Sequence, residues 1–533
     1  MGYTPRLMRR IPQILLFLLL LVAFSLPRKV PLIPAGSEFD LVIKGGQVVD
    51  GTGAPPYKAD VGVRDGRIAA IGVLGEFRSR RLVDAQGSVV CPGFIDTLCH
   101  NELLWYKEEQ VQALRQGVTS ALAGNCGFSL LFVKENLAKL ERSQPLLNLG
   151  TLVAHGSLRD HVIKQRKKTL ASPAEMVAMK QMLEKGLAEG AFGLSSGLGY
   201  EPGEWTDPAE IQDLASVLGR YPHAAYYTHM RNFRSQVLEA IREAVSVARS
   251  SRVPLVIQHL LFKLPGNWDY APEGLRLIRD ARKEGLDVYA TVYPYDFWGS
   301  EVQIELAQML YLRPEMLKAS YYNDEARFAG VLAAIRKRLD EYGGADHIEI
   351  TRLDPKMPRE YLGRTIGEIA QLRGLSEPEA VLAILLENRK AVKVCYHGLS
   401  EKALEQQIKS PFIFFGSDST RGIPHPRNVG TFPRLFGVYV REKKTIPLQE
   451  AVRKSTSLPA RLMGLRDRGQ LKEGYWADLV VFEPNVILDA ATPVSPDLPP
   501  KGIRVVVVNG AVVVEKNRLT GVISGQVLRR AEK

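Results

Sequence analysis

The sequence is poor in cysteine. Its 533 residues contain only Cys91, Cys99, Cys126 and Cys395, and no two of them stand in C-x-x-C spacing. This absence excludes a disulfide scaffold and a zinc ribbon. The chain also lacks internal repeats and low-complexity tracts. With 45% hydrophobic and 24% charged residues, it has the composition of an ordinary globular protein, long enough for a large barrel and an added domain.

A long run of basic residues is also missing from the sequence. The net charge is +12, yet the lysines and arginines are scattered along the chain. The densest basic run, residues 164–168, has no aromatic residue between its charges. Such a run is typical of a solvated helix face, so we predict that the protein binds no nucleic acid.

Long apolar runs are absent except for one, which extends from Ile14 to Phe24 and follows three arginines. A basic flank and an apolar stretch of this length are typical of a secretory signal or an uncleaved membrane anchor. We therefore expect residues 1–36 to form this segment and a proline-rich linker. The body of the protein should be exported to a periplasmic or other extracytoplasmic space, soluble or tethered through this segment alone.

Both ends of the remaining chain are rich in short β-strand patterns. Residues 37–90 contain apolar runs separated by Gly and Asp-Gly turns, and residues 465–533 contain Asn509-Gly510 between two valine-rich runs. Asn-Gly between such runs is a strong hairpin signal. We predict that the two ends together form one small β-sandwich.

The middle of the chain alternates apolar strands with amphipathic helices over residues 91–297 and 394–464. Asp207, for example, is positioned to cap one of these helices. Repeated βα units of this kind predict a (β/α)8 TIM barrel. Residues 298–393 break the alternation with long charged helical segments, so we expect a helical insertion near the barrel mouth.

Side chains that can bind metal follow five of the predicted strands. They are His100, Cys126, His229, His259 and Asp418. The chemistry of a TIM barrel collects at the carboxyl ends of its strands, where these five residues fall. Imidazole, thiolate and carboxylate groups are the ligands that zinc takes, and a catalytic zinc site needs three of them. The sequence therefore predicts a metal-dependent enzyme.

At these residues the sequence resembles the D-aminoacylase (N-acyl-D-amino-acid deacylase) branch of the amidohydrolase superfamily. The likeness extends from Phe39 to Leu528 and is carried by the motifs GNCG, YYTHMRN, GSDS and HPRNVGTFPR. It implies a metal-dependent barrel with a β-sandwich built from both termini and an inserted segment. It also implies a substrate, a small N-acylated D-amino acid whose amide is hydrolysed.

The resemblance assigns one tightly held zinc to Cys126, His229 and His259. A weaker second metal in this family uses two histidines after GFID and the aspartate of GSD. Here the pair is reduced to His100, because Leu98 occupies the position of the first histidine. We therefore predict one tight zinc, with the second site damaged.

A mechanism follows from the charges of these groups. Zinc would lower the pKa of a water molecule toward 7, and Asp418 would take a proton from that water and deliver it to the departing amine. A substrate carboxylate needs a cationic partner, for which the guanidinium of Arg427 is well suited. By resemblance Tyr293 assists Arg427. Because His425 follows Asp418 closely in the sequence, we expect it to line the site without binding metal.

Two other functions remain open from the sequence. One is a cyclic amidase of the hydantoinase or dihydropyrimidinase type. Such enzymes resemble this chain in architecture, but they use an intact histidine pair and a carboxylated lysine. The other is a non-catalytic envelope binding protein on a decayed amidohydrolase scaffold. Leu98 is the feature that favours the second alternative, and Asp418 argues against it because a binding scaffold has no use for a proton shuttle.

Overall fold

The computed structural model describes residues 30–163, 169–302, 306, 323–388 and 392–531. The predicted signal or anchor, within residues 1–29, and the basic run at 164–168 lie outside the described residues. In the part of the chain that is described, no helix is both long enough and apolar enough to cross a membrane.

Strands occur at both ends of the chain and, singly, between helices in its middle. In chain order they are β1 (Leu32–Ile33), β2 (Ser37–Val48), β3 (Tyr57–Arg64), β4 (Arg67–Leu74), β5 (Phe77–Asp84), β6 (Val89–Pro92), β7 (Phe94–Asp96), β8 (Val118–Ala123), β9 (Asn148–Thr151), β10 (Val153–Ala154), β11 (Gly193–Gly197), β12 (Ala225–His229), β13 (Leu255–Ile257), β14 (Val288–Val292), β15 (Trp298–Glu301), β16 (Ile348–Arg352), β17 (Lys393–Tyr396), β18 (Ile413–Phe415), β19 (Leu479–Phe482), β20 (Ile503–Val508), β21 (Ala511–Glu515) and β22 (Arg518–Leu519).

Helices fill the intervals between the middle strands. In chain order they are α1 (Glu102–Trp105), α2 (Lys107–Arg115), α3 (Val133–Arg142), α4 (His155–Val162), α5 (Pro173–Ala188), α6 (Pro208–Leu218), α7 (Val237–Ser251), α8 (Ala271–Lys283), α9 (Glu325–Glu341), α10 (Ile366–Arg373), α11 (Glu377–Glu387), α12 (Glu401–Lys409), α13 (Arg427–Arg434), α14 (Leu448–Ser455) and α15 (Ser457–Leu462). Asp207 caps α6 as expected, since its carboxylate accepts from the N–H of Glu210 at 2.9 Å.

The middle strands pair in parallel and confirm the barrel. One sheet has the order β7-β8-β9, and another has the order β10-β11-β12-β13-β14-β18. β9 and β10 are consecutive parts of one strand separated by Leu152, so the two sheets are covalently continuous. α-Helices connect successive parallel strands along the chain and pack against them. The buried apolar residues form one continuous core.

In the described residues no strand ladder joins β18 to β7, and only contacts of the loops after these strands link them. Asp96 Oδ1 accepts from the N–H of Ser417 at 3.1 Å and from that of Leu98 at 3.0 Å. The N–H of Asp418 then donates to the carbonyl of Leu98 at 2.7 Å. Burial raises the pKa of Asp96 to about 6. The aspartate of GFID therefore joins the two strand ends, and it brings Leu98 and Asp418 together.

Both termini contribute to a ten-stranded sheet with the order β1-β4-β3-β2-β6-β19-β20-β21-β22, in which β5 also pairs with β2. One apolar cluster inside it includes Leu41 and Val61 from the N-terminal part and Val481 and Val505 from the C-terminal part. This composite layer confirms the predicted β-domain built from both ends.

The insertion contains a small antiparallel sheet with the order β15-β17-β16, together with α9, α10 and α11. It contacts the loop after β13, where the N–H of Leu264 donates to the carbonyl of Gly398 at 3.0 Å. β17, at Lys393–Tyr396, belongs to this sheet. The predicted boundary between residues 393 and 394 therefore falls inside a strand of the insertion.

Candidate active site

Five barrel strands deliver the predicted metal-capable side chains to one end of the barrel. His229 is the last residue of β12, and the others stand in the loops that follow β7, β8, β13 and β18. These loop residues are His100, Cys126, His259 and Asp418. All five lie at the carboxyl ends of the strands, where barrel enzymes carry their active sites.

Cys126, His229 and His259 converge on one point. The Nε2 atom of His259 lies 3.4 Å from Cys126 Sγ and 2.9 Å from His229 Nδ1. All three ligand atoms lie within 4.8 Å of one another. Burial lowers the pKa of His259 to about 4, and it lowers that of His229 as well, with a further contribution from His259. Two neutral imidazoles and a cysteine, which loses its proton when it binds zinc, are donors that zinc sites use, so this set fits the metal.

A second group shares Cys126 with the first. The ligand atoms of His100, Cys126 and Asp418 lie within 4.8 Å of one another, and His100 Nε2 is 3.3 Å from Asp418 Oδ1. Leu98, at the position of the missing imidazole, is fully buried. The second group therefore keeps a histidine and a carboxylate but has a hydrocarbon where a further ligand would stand.

Asp418 is ionised and paired. Its Oδ2 atom lies 2.9 Å from Nη1 of Arg427, and both side chains are almost completely buried. Burial by itself would raise the pKa of this carboxyl group. The Arg427 guanidinium and then His259 and His100 outweigh that effect and hold the pKa well below its usual range.

Three of the site residues have a left-handed backbone, with φ of 55° at Cys126, 32° at His259 and 51° at Asp418. Residues other than glycine rarely adopt this conformation, and it costs about 1–3 kcal/mol unless the surroundings enforce it. Here hydrogen bonds enforce it: the N–H of Cys126 donates to Gln258 Oε1 at 3.1 Å, and that of His259 donates to Thr291 Oγ1 at 2.8 Å. Each turn directs its side chain inward across the barrel mouth.

Two glycines allow the loop that carries Cys126 to approach β11. A Cβ at Gly127, where φ is 81°, would lie 2.5 Å from the backbone nitrogen of Gly197. A Cβ at Gly197 would lie 2.4 Å from the carbonyl oxygen of Cys126. That carbonyl accepts a hydrogen bond from Tyr200 Oη at 2.5 Å. The glycines of GNCG and GLSSGLGY thus have a common purpose, which is close packing around Cys126.

Sequence reasoning did not identify Tyr200, Gln258 or Thr291 as site residues. Tyr200 contacts the ring of His229 at 4.7 Å in addition to its bond to Cys126. Its position in the GLSSGLGY motif was the only available signal. Gln258 directly follows β13 and Thr291 lies within β14. At such positions the spacing does not distinguish a polar residue that faces the barrel from one that faces the helices.

The structure brings the predicted substrate-binding pair to the same site. The guanidinium carbon of Arg427 is 4.7 Å from the ring centroid of Tyr293, and both residues are buried. Within the described residues, Tyr293 Oη and Arg427 Nε are buried polar atoms without a hydrogen-bond partner. Buried donors of this kind are costly, and a bound acceptor such as a carboxylate would satisfy them.

His425 holds Arg427 in place. Its Nδ1 atom accepts from the N–H of Arg427 at 3.0 Å, and its Nε2 atom is 3.2 Å from the carbonyl of Phe297. The ring therefore carries its proton on Nε2 and is neutral. Burial, followed by the charge of Arg427, lowers the pKa of His425 and stabilises this form. The expectation that His425 lines the site agrees with this position.

Histidines outside the site have other partners or belong to no metal group in the described residues. His155 Nε2 lies 2.7 Å from Glu210 Oε1, and Arg159 Nη1 donates to both oxygens of the same carboxylate. Burial opposes the ionisation of Glu210, but His155 and Arg159 lower its pKa to about 2. His397 is paired with Glu349 at 2.8 Å.

Known proteins are similar to this chain in both sequence and structure. The Amidohydrolase family model matches residues 320–514. The N-acyl-D-glutamate deacylase of Alcaligenes xylosoxydans xylosoxydans is 34% identical over 508 residues, which cover 89% of this chain and 94% of that protein. The crystal structure of N-acyl-D-glutamate deacylase from Bordetella bronchiseptica, complexed with zinc and a phosphonate mimic of the tetrahedral intermediate, is 33% identical and superimposes with a TM-score of 0.79, covering 92% of this chain and 100% of that one. A D-aminoacylase structure, described as binuclear with one-metal activation and second-metal attenuation, is 32% identical with a TM-score of 0.77 and the same coverage.

Proposed function

Because the chain belongs to the D-aminoacylase family of amidohydrolases, we propose that it hydrolyses N-acyl-D-amino acids. The products are a D-amino acid and a carboxylate. The observation that carries the proposal is the convergence of Cys126, His229 and His259 beside an ionised Asp418 at the barrel mouth. The family's hydrolysis of carbon–nitrogen bonds requires both parts, a metal site and a group that moves protons.

Cys126, His229 and His259 would hold one zinc ion tightly. When bound, zinc supplies a Lewis acid that lowers the pKa of water and polarises an acyl carbonyl. The hydrogen bonds to the backbone of Cys126 and His259 orient these two ligands before any metal arrives. Pre-orientation of this kind is what a tight site needs.

Asp418 would move the proton. Its carboxylate would accept a proton from the attacking water and then deliver it to the nitrogen of the departing amine. Arg427 keeps this carboxylate ionised and oriented through the 2.9 Å contact to Oδ2. The opposite oxygen, Oδ1, faces His100 at 3.3 Å. The proton acceptor is thus held from both sides.

Arg427 and Tyr293 would bind the substrate carboxylate. A guanidinium has five N–H donors, and one nitrogen of Arg427 is engaged by Asp418. Its Nε atom and the hydroxyl of Tyr293 have no hydrogen-bond partner among the described residues. Arg427 can therefore contact a substrate carboxylate and Asp418 at the same time, which sets the distance between the recognised end of the substrate and the proton acceptor.

A non-catalytic protein on the same scaffold is the second candidate, and the observation that favours it is Leu98. Leu98 affects only the second metal group, because the group formed by Cys126, His229 and His259 is complete without it. No specific observation favours the cyclic-amidase alternative. Such enzymes use a carboxylated lysine at the metals, whereas here Cys126 is part of both metal-capable groups.

The test combines metal analysis with an enantioselective assay on the purified full chain. We expect about one tightly bound zinc per chain after mild chelation, the number that the set of Cys126, His229 and His259 would hold. Release of amine should occur from N-acetyl-D-amino acids and not from the L-enantiomers. A zinc-loaded protein that hydrolyses neither enantiomer across acidic and apolar side chains would favour the binding scaffold.

We also propose that the barrel and the β-domain act outside the cytoplasm. The support is the basic and apolar N-terminal sequence, residues 6–24. Fractionation of cells that express the full chain should place it in the extracytoplasmic fraction, and deletion of residues 1–29 should move it to the cytoplasm. A full-length protein found in the cytoplasm would contradict export.

A further inference from the structure

A cavity of about 420 Å³ lies between the barrel and the terminal β-domain. Its lining includes four arginines, Arg453, Arg461, Arg466 and Arg468, together with His223. Thr52, Ser457, Gln470 and Tyr475 add neutral polar groups, and none of the described residues that line it is acidic. Small-molecule sites in proteins have volumes of roughly 300–1,000 Å³, so the cavity is large enough for a ligand.

The cavity lies at the end of the barrel opposite the candidate active site. Arg461 Nη2 donates to Tyr289 Oη at 3.2 Å, and Tyr289 is near the start of β14, whereas Tyr293 follows the end of that strand. Four residues of a strand span about 13 Å. His223 likewise precedes β12, whose last residue is the metal-site residue His229. The amino-terminal end of a barrel carries no catalytic groups, so the arginines need another explanation.

Two of the four guanidinium groups already have an acidic partner. Arg453 forms two bonds of 2.7 Å to Glu450, and Arg468 pairs with the buried Asp478. Arg461 bonds the neutral Tyr289, and Arg466 forms no ion pair with a described residue. Both of these side chains are exposed. The cavity therefore carries about two positive charges that the described part of the protein does not neutralise.

We propose that this cavity binds a small soluble molecule that carries a phosphate group. Arginine presents a planar fork of N–H donors that matches phosphate oxygens, and several arginines around one recess are the usual device for binding a phosphate. The hydroxyl of Tyr475 can supply a further donor, whereas those of Thr52 and Ser457 already donate to Asp50 Oδ1 and to the carbonyl of Gly51. A recess of this size favours a soluble ligand over a lipid surface, which would meet a flat or protruding patch. The inference does not depend on the hydrolase activity.

The test is isothermal titration of the full chain with inorganic phosphate and with pyrophosphate in a buffer of low ionic strength. The double variant Arg461→Gln/Arg466→Gln removes the two charges without an acidic partner. The matched control, Arg78→Gln/Arg80→Gln, removes two charges from β5, where these side chains are 88% and 86% exposed. Because an active-site zinc can also bind phosphate, the readout is the difference between the two variants.

We expect saturable binding by the wild type and the control, with affinities within twofold of each other. The cavity variant should bind at least tenfold more weakly while melting at the same temperature. Equal weakening in both variants would show a general effect of surface charge and would overturn the proposal, as would a wild type that binds neither anion. Co-sedimentation with phosphatidylglycerol vesicles is the second arm. Loss of vesicle binding on Arg461→Gln/Arg466→Gln without any soluble phosphate binding would assign the cavity to a membrane surface instead.

Discussion

Restoring the missing imidazole with Leu98→His should create a second zinc site and reduce activity. Leu98 stands two residues before His100 in the segment after β7, and its Cβ lies beside Gly416, two residues before Asp418. The new ring would join His100 and Asp418, whose facing atoms are 3.3 Å apart. The backbone is already in place, because the carbonyl of Leu98 accepts from the N–H of Asp418 at 2.7 Å.

The size of the effect follows from the role of Asp418. A cation bound at this carboxylate lowers its affinity for a proton, and each pKa unit is worth 1.36 kcal/mol, or a tenfold change in the proton equilibrium. We expect the pKa of Asp418 to fall by about one unit or more as the second zinc binds, and kcat of the variant to fall at least tenfold. Leu98 also packs against Gly416, where an added Cβ would lie 2.5 Å from its own Cβ. The variant should therefore be less stable without zinc, and zinc should restore part of that stability.

The assay is a zinc titration of both proteins at fixed substrate, with zinc per chain measured on the same samples. The wild type should remain near one zinc and show weak inhibition, whereas the variant should approach about two zinc ions and lose activity in proportion. Leu98→Met, which keeps the volume without adding a strong ligand, is the matched control. Activity that rises as the second site of the Leu98→His variant fills would mean that the chain descends from a two-metal enzyme, and the one-zinc mechanism would be refuted.

Four further outcomes are expected. Cys126→Ala should lose its zinc and its activity together, as metal analysis would show; a variant that keeps both would make Cys126 a packing residue. Asp418→Asn should keep the zinc but lose turnover by at least a hundredfold, the lower range for an acid–base group, and loss of the metal as well would make Asp418 an essential ligand. His425→Ala should raise KM more than it lowers kcat, because the backbone of Arg427 loses its hydrogen-bond acceptor. His425→Asn can still accept from the N–H of Arg427 and should recover most of the loss. Equal effects of the two substitutions would show that His425 has only a packing role. Glu210 has a pKa lowered from 4.5 to about 2, so its stabilisation is complete above pH 4.5 and is lost as pH falls toward 2, at about 3 kcal/mol; acid unfolding of Glu210→Gln should lack this component, and an unchanged acid transition would contradict it.

The sequence was sufficient to place the metal-capable residues, because strand ends can be located from local patterns. His229 ends a strand whose apolar run is short and bounded, and His259 and Asp418 follow similar runs within three residues. A parallel barrel then brings all of these ends to one rim whatever the length of the connecting helices. The residues Cys126 and His100 were placed by the same logic, and the structure brings both next to Asp418.

Interactions between distant segments could not be read from local patterns. The pairing of Asp418 with Arg427 and the hydrogen bond from Ser417 to Asp96 depend on loop conformations that periodicity does not encode. The end of the insertion was misplaced for a related reason. β17 is a short apolar strand around Cys395, and such a run does not reveal whether it joins a parallel barrel or an antiparallel sheet.

The backbone at Asp418 indicates that this site is built for more than folding, although Leu98 stands where the resemblance expects a histidine. Its left-handed φ of 51° is costly for a residue other than glycine, by about 1–3 kcal/mol. The structure holds this conformation with the bond from its N–H to Leu98 and adds a buried ion pair to Arg427, whose own backbone is anchored by His425. Breaking a buried pair is strongly destabilising, yet replacing it with apolar residues is often neutral or favourable. A scaffold that had only to fold could therefore dispense with the pair and the strained turn. Their presence beside the zinc donors Cys126, His229 and His259 is what a metal-dependent hydrolase requires, and it supports the proposed role of Asp418.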